Sequence, residues 1–241
     1  VKERSLGLTA KAKIIGQTAI AFGIGFLAVN WAHVSPHVLI PWLGDVDLGV
    51  LTSTLEVGRF TLEFPWLYLA FVAFMVISFS NTVNLTDGLD GLAAGTIMIV
   101  MLVFAAIAFA QDNLELALFA SAVAGACLGF LWYNSYPADI FMGDTGSLGL
   151  GAVIATLAVV TKTELLSPLL GGIYVAEGLS VLLQVASFKL TGKRILRMAP
   201  LHHHYEMKGW SETKVMVRFW IVTGIMAGAG FALWFVTRAG A

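Results

Sequence analysis

Apolar residues in this chain neither alternate nor fall into one helical stripe; they run on in blocks. Seven blocks, near 14–32, 65–83, 92–111, 114–133, 146–161, 165–188 and 215–237, approach the roughly 20 largely apolar residues that a bilayer-spanning helix needs. A helix apolar on every side belongs in a membrane or deep in a large protein. Seven in series predict an all-α, polytopic integral membrane protein, read as a single membrane domain over 1–241. The fifth block is the shortest, with an unbroken apolar run only from Leu148 to Val160. Between the first two blocks, β-prone runs at Leu48–Leu55 and Arg59–Phe64 flank Gly58 and predict a small hairpin. Gly125/Gly129 and Gly224/Gly228 have the spacing that lets membrane helices approach closely, and helix contacts are expected there. No charged, Ser-rich leader precedes the first block, so a cleaved signal peptide is not expected.

Composition agrees with the pattern. Of 241 residues 58% are hydrophobic and 12% charged, with a mean hydropathy of +0.85; soluble domains carry about 25% charged residues. Fourteen Lys and Arg against fifteen Asp and Glu leave a net charge of −1, which excludes an electrostatically driven nucleic-acid binder. The lone cysteine, Cys127, excludes a disulfide framework and a Cys-based zinc cluster.

Charge placement predicts orientation. Lys2, Arg4, Lys11 and Lys13 precede the first span, and Lys189, Lys193, Arg194, Arg197, Lys208 and Lys214 lie before the last. Alternation puts both groups on one side, the cytoplasm by the positive-inside rule. The other side receives Arg59, Lys162 and Arg238 with the acids Asp45, Asp47, Glu56, Glu63, Asp112, Glu115 and Glu164. The N-terminus is expected inside and the C-terminus in the periplasm.

Three polar clusters interrupt the apolar background, all on the cytoplasmic side of this topology: Asn81–Ala93 (NTVNLTDGLDGLA), Trp132–Ser147 and Pro200–Trp210 (PLHHHYEMKGW). Ionisable groups at such depth are costly and tend to be functional. Asn81, Asn84, Asp87 and Asp90 recur every third residue, a winding stripe on a helix, and Gly88 and Gly91 loosen its end for approach of a ligand. The plain alternative is a polar loop whose Asp residues cap the next span. Asp144 stands where a helix begins, as an N-cap or as a carboxylate ligand for a hard cation; Mg²⁺ takes one or two protein carboxylates and fills its remaining positions with water and phosphate oxygens. Phe141 and Asn134 offer an aromatic face and an amide suited to a nucleobase. His202, His203 and His204 cannot all face one metal on a regular helix, and read as phosphate donors or acid–base groups. Glu177 and Gln184, seven residues apart on the sixth span, fit interhelical hydrogen bonding and ligand contact equally well.

Several carboxylates repel a phosphate unless a divalent cation lies between them. Acids with Mg²⁺ and His and Lys donors make up the chemistry of phosphoryl transfer, where positioning and charge neutralisation do most of the catalysis. At an inner membrane face such a site joins a nucleotide-linked donor to a lipid phosphate. A transporter lined by Glu177 and Gln184 is the competing class, although transporter sites lie near the midplane; a non-catalytic scaffold would leave the three clusters without purpose.

The segments NTVNLTDGLDGLA, FMGDTGS (Phe141–Ser147) and PLHHHYEMKGW closely resemble the polyprenyl-phosphate N-acetylhexosamine-1-phosphate transferases, over the whole chain. The triple-His loop is similar to that of the bacterial members that handle MurNAc-pentapeptide; members with other sugars, UDP-GlcNAc among them, share the first two motifs. The resemblance implies transfer of phospho-MurNAc-pentapeptide from UDP-MurNAc-pentapeptide to undecaprenyl phosphate, giving lipid I and UMP in peptidoglycan biosynthesis. It implies Mg²⁺ on Asp144, and Asn84, Asp87, Gly88, Leu89, Asp90, Asn134, Phe141 and Gln184 around the uridine and pyrophosphate. Asn81 and Ser147 of the same motifs complete the substrate-binding set. His202 and His203 would contact the donor or assist the chemistry, with Asp144, Asp87 and His202 as the catalytic set. The family also implies a homodimer in the bacterial inner membrane. Its members have ten spans, with an adjacent Asp pair followed by Lys at the end of the third. Seven spans here imply that three more, and that pair, precede Val1, without which activity is not expected.

Overall fold

The computed structural model describes residues 9–40 and 44–239; Lys2 and Arg4, used above for orientation, and the rest of the opening octapeptide lie outside them. Seven helices are long and apolar enough to cross a membrane: α1 (Ala10–Asn30), α2 (Trp66–Thr86), α3 (Leu92–Ala110), α4 (Leu114–Asn134), α5 (Gly143–Val160), α7 (Gly172–Thr191) and α9 (Glu212–Ala239). Two short helices, α6 (Ser167–Leu170) and α8 (Leu201–Glu206), lie in the connections. The chain is a multi-pass membrane protein, as the apolar blocks predict.

Contacts between helix ends fix the alternation. At one end, Lys13 of α1 reaches Asn84 of α2 and Asp144 of α5, and Trp220 of α9 donates to the Gly91 carbonyl at the start of α3. At the other end, Asn30 bonds the Glu63 backbone, Gln111 the Thr161 carbonyl, and Lys162 the carbonyls of Ser35 and His37. All three polar clusters therefore share the first end.

The core lies along α2 and α3, where Tyr68, Val72, Val83, Ile97, Met101 and Phe104 are buried. Helices in lipid gain little from burying apolar surface against each other, so close backbone approach carries the packing. At Gly151 of α5 a Cβ would collide with the Phe79 carbonyl and the Ser80 Cα of α2, and at Gly95 of α3 it would enter the Trp220 indole. The glycine pairs expected to pack do not do so within the chain: nothing lies within 4 Å of a Cβ built at Gly125, Gly129, Gly224 or Gly228. Their spacing is right, but the helix faces that carry them do not meet a neighbour, a matter decided by rotation about the helix axis.

The hairpin around Gly58 forms, as β3 (Thr52–Val57) paired antiparallel with β4 (Phe60–Pro65). A second ribbon, β1 (His37–Ile40) with β2 (Gly44–Asp47), was not expected. The sixth block is not one helix. Pro168 suits the first turn of α6, where no amide donor is needed, and the Gly171–Gly172 pair ends that helix before α7 begins. Only Gly172–Thr191 is of spanning length. The fifth helix starts at Gly143, so the polar GDTGS segment is its first turn.

Replacement of Gly151 by Ala is expected to destabilise the bundle by roughly 1–3 kcal/mol through overpacking at the α2–α5 crossing. Gly129→Ala, on an open face, should leave stability unchanged or raise it by up to about 1 kcal/mol. Thermal unfolding of both variants in detergent measures the contrast, and equal losses would refute it.

Candidate active site

Asn84, on the last turn of α2, joins three parts of the sequence. Its amide nitrogen donates to Asp144 Oδ1 at 2.9 Å and to Ser147 Oγ at 2.8 Å, while its oxygen accepts from Lys13 Nζ at 3.3 Å. Lys13 also donates to Asp144 Oδ2 at 3.0 Å. Ser147 is buried and returns its hydroxyl proton to the Gly143 carbonyl at 2.9 Å, so it orients Asn84 and offers little to a ligand. Asp144 does not cap its own helix. It lies in the first turn of α5, where the positive helix end favours an anion, and its side chain is 70% exposed. One turn earlier on α2, Asn81 is tied to Gln17 of α1 at 3.0 Å.

Past Asn84 the helix stops at Asp87, and the chain turns to begin α3 at Gly91, whose φ of +73° suits glycine. Neither Asp caps α3. Asp87 is half-buried beside Asp144; burial first, and then the Asp144 charge, push its carboxyl up to about 6 against the opposing pull of the Gly143 amide. Asp90 accepts from the Ala138 amide at 2.9 Å. Asn134 is buried, accepting from the Gly91 amide at 3.1 Å and donating to the Ile140 carbonyl at 2.8 Å. These bonds clamp the 134–141 loop onto the 87–91 turn and leave Phe141 free, 76% exposed. Leu89 is buried, so only its backbone can face a ligand.

The three histidines of α8 point to three places. His202 is fully buried, against Glu177 and Gly88. His203 pairs with Glu206 and is part-exposed. His204 Nδ1 accepts from the Arg197 amide at 3.0 Å; burial, followed by the Lys208 and Arg197 charges, holds it below the usual histidine range. Gln184 is occupied by backbone, accepting from the Ile195 and Leu196 amides at 3.0 and 2.9 Å and donating to the Leu196 carbonyl. Glu177, fully buried, is spent on Leu201 and His202, so neither side chain lines a path across the bundle.

Among the described residues no group of three or more His, Cys, Asp or Glu converges on one point. A cage of protein ligands is therefore not formed there, whereas one exposed carboxylate with a second beside it matches the donor set of Mg²⁺. One member of the site escaped sequence reasoning: Lys13 counted only as a charge for orientation, with nothing to mark its reach to α2 and α5. Glu177 was singled out in its apolar surroundings, but not its partner, which lies 25 residues away in the chain.

The model of glycosyl transferase family 4 matches residues 5–162. The phospho-N-acetylmuramoyl-pentapeptide-transferase of Corynebacterium jeikeium is 46% identical over 256 residues, covering 98% of this chain and 69% of the relative. That of Shouchella clausii is 48% identical, covering 95% and 66%, and that of Halalkalibacterium halodurans 48% identical, covering 92% and 63%. The chain thus spans about two thirds of the length of these relatives. On the family match and on these identities, the chain belongs to glycosyl transferase family 4, among its phospho-N-acetylmuramoyl-pentapeptide transferases.

Proposed function

We propose that the polar end of this bundle faces the cytoplasm of a bacterium and transfers phospho-MurNAc-pentapeptide from UDP-MurNAc-pentapeptide to undecaprenyl phosphate. The products are lipid I and UMP, and the protein works as a homodimer in the inner membrane with its hairpins and C-terminus in the periplasm. The observation that carries this reading is the meeting of Lys13, Asn84 and Asp144 from three helices around one exposed carboxylate. Lys11, Lys189, Lys193, Arg194 and Arg197 near the same end support the orientation.

In the transfer, a phosphate oxygen of the lipid bonds to the sugar-bearing phosphorus of the donor. The bond from that phosphorus to the bridging oxygen breaks, and its electrons leave with UMP. Mg²⁺ held at Asp144, with Asp87 beside it, would neutralise the pyrophosphate charge. Lys13 is close enough to exchange Asp144 for a phosphate oxygen. Asn84 fixes the Asp144 carboxylate, so its direction does not have to be found during the reaction. Asp90 and Asn134 hold the loop that presents Phe141 to the uracil. For the lipid, an apolar groove of 350 Å³ between α2 and α7, lined by Phe71, Phe74, Met75, Leu179 and Leu182, suits a polyprenyl tail.

Asp144→Asn is expected to lower Mg²⁺-dependent turnover of UDP-MurNAc-pentapeptide by at least about a hundredfold, the several kcal/mol that a catalytic metal contributes. Retained turnover with metal still required would remove Asp144 from the site. Phe141→Ala should weaken UMP binding by roughly 5–150-fold, the worth of one base stack, while Phe141→Trp keeps it. Calorimetric titration with UMP reads both, and equal affinity in Phe141→Ala would count against stacking.

A further inference from the structure

Glu177 sits within the apolar span α7 and is fully buried, which is costly unless its oxygens are satisfied. Oε2 accepts from the Leu201 amide at 2.6 Å, and Oε1 from the His202 amide at 3.2 Å and from His202 Nδ1 at 3.1 Å. The two amides belong to the first turn of α8, where helix donors lack partners of their own. Both Glu177 oxygens already accept from backbone amides, and Nδ1 faces Oε1 as a further donor. Nε2 is buried and has no partner. It abuts Gly88: a Cβ built there would collide with Nε2 and lie 2.9 Å from Cε1. Gly88 does not have a positive φ, so its backbone would accept a side chain, and the imidazole is what excludes one. The ring fills that space from behind, while Asp87 and Asp90 flank the same turn.

We infer that Glu177 is a positioning residue: it fixes the His202 ring with Nδ1 protonated, and that ring braces the Asp87–Gly91 turn at Gly88. His202 acts through the turn it packs against. That the turn reads the donor nucleotide rests on the function proposed above; the brace itself does not. The glycine is therefore matched to the histidine, and the histidine to the glutamate, across three segments of the chain.

The test uses the reconstituted protein with Glu177→Gln, His202→Ala, His202→Asn, Gly88→Ala and the double variant Gly88→Ala/His202→Ala. Nitrogen-15 shifts of the His202 ring should report Nδ1–H with a bare Nε2. Amide hydrogen exchange at 87–91, read without nucleotide, should quicken at least about tenfold in Glu177→Gln and His202→Ala, and KM for UDP-MurNAc-pentapeptide should rise roughly 10–100-fold with a smaller change in kcat. His202→Asn, whose amide nitrogen can occupy the Nδ1 position, should recover most of both losses. Gly88→Ala should be harmful with the ring present and nearly neutral without it. Unchanged exchange at 87–91 in Glu177→Gln, additive Gly88 and His202 losses, or exchange and KM as high in His202→Asn as in His202→Ala would each overturn the inference. A turn that loosens in Glu177→Gln while the parent protein binds no UDP-sugar would uphold the brace and count against the proposed function alone.

Discussion

The site depends on the two hydrogen-bonding ends of one amide. Asn84 donates to Asp144 and Ser147 and accepts from Lys13, so α1, α2 and α5 are tied together where their polar ends meet. A carboxylate there could not fill the same place, because it has no donor for Asp144. An apolar residue would leave Lys13 and Asp144 paired by charge alone, at a position where Asp144 is mostly exposed and an ion pair contributes little. The amide supplies direction where charge supplies only attraction, and it holds a part-buried cation beside a carboxylate that stays exposed.

Much of this was legible in the sequence. Seven apolar blocks gave seven spans, since the cost of an unpaired backbone group in lipid leaves few other structures for such blocks. The common end of the three polar clusters followed from alternation alone. Helix rotation was not legible: the Gly125 and Gly224 pairs have the proper spacing yet meet nothing, whereas Gly95, with the same spacing from Gly91, and Gly151 make close contacts. Spacing records which residues share a face, but the partner of that face is set by the whole bundle. Pro168 and Gly171 lay inside an apolar run long enough for one helix, and their local effect outweighed its hydropathy.

The candidate site divides in the same way. Motif residues were found where polar side chains break an apolar background, but their roles were not separable by type. Asn134 and Gln184 carry amides suited to a base, yet both are committed to backbone groups at each end. Ser147 and Leu89 are buried. Phe141 alone of the proposed nucleotide contacts presents most of its side chain to the outside. A polar residue in a motif can equally build the loop or face the ligand, and only its hydrogen-bond partners distinguish the two.

Asp87 and Asp144 show why such a site suits a ligand that brings its own charges. Burial and the neighbouring carboxylate both disfavour ionised Asp87, which lifts it to about 6. At neutral pH both acids are then charged at some cost, partly offset by Lys13 on the far side of Asp144. A divalent cation set between them would cancel their two charges, and Lys13 would then supply the net positive charge that a pyrophosphate meets. The polar residues around the two acids accordingly serve to hold them in place: Asn84 fixes Asp144, and Ser147 fixes Asn84.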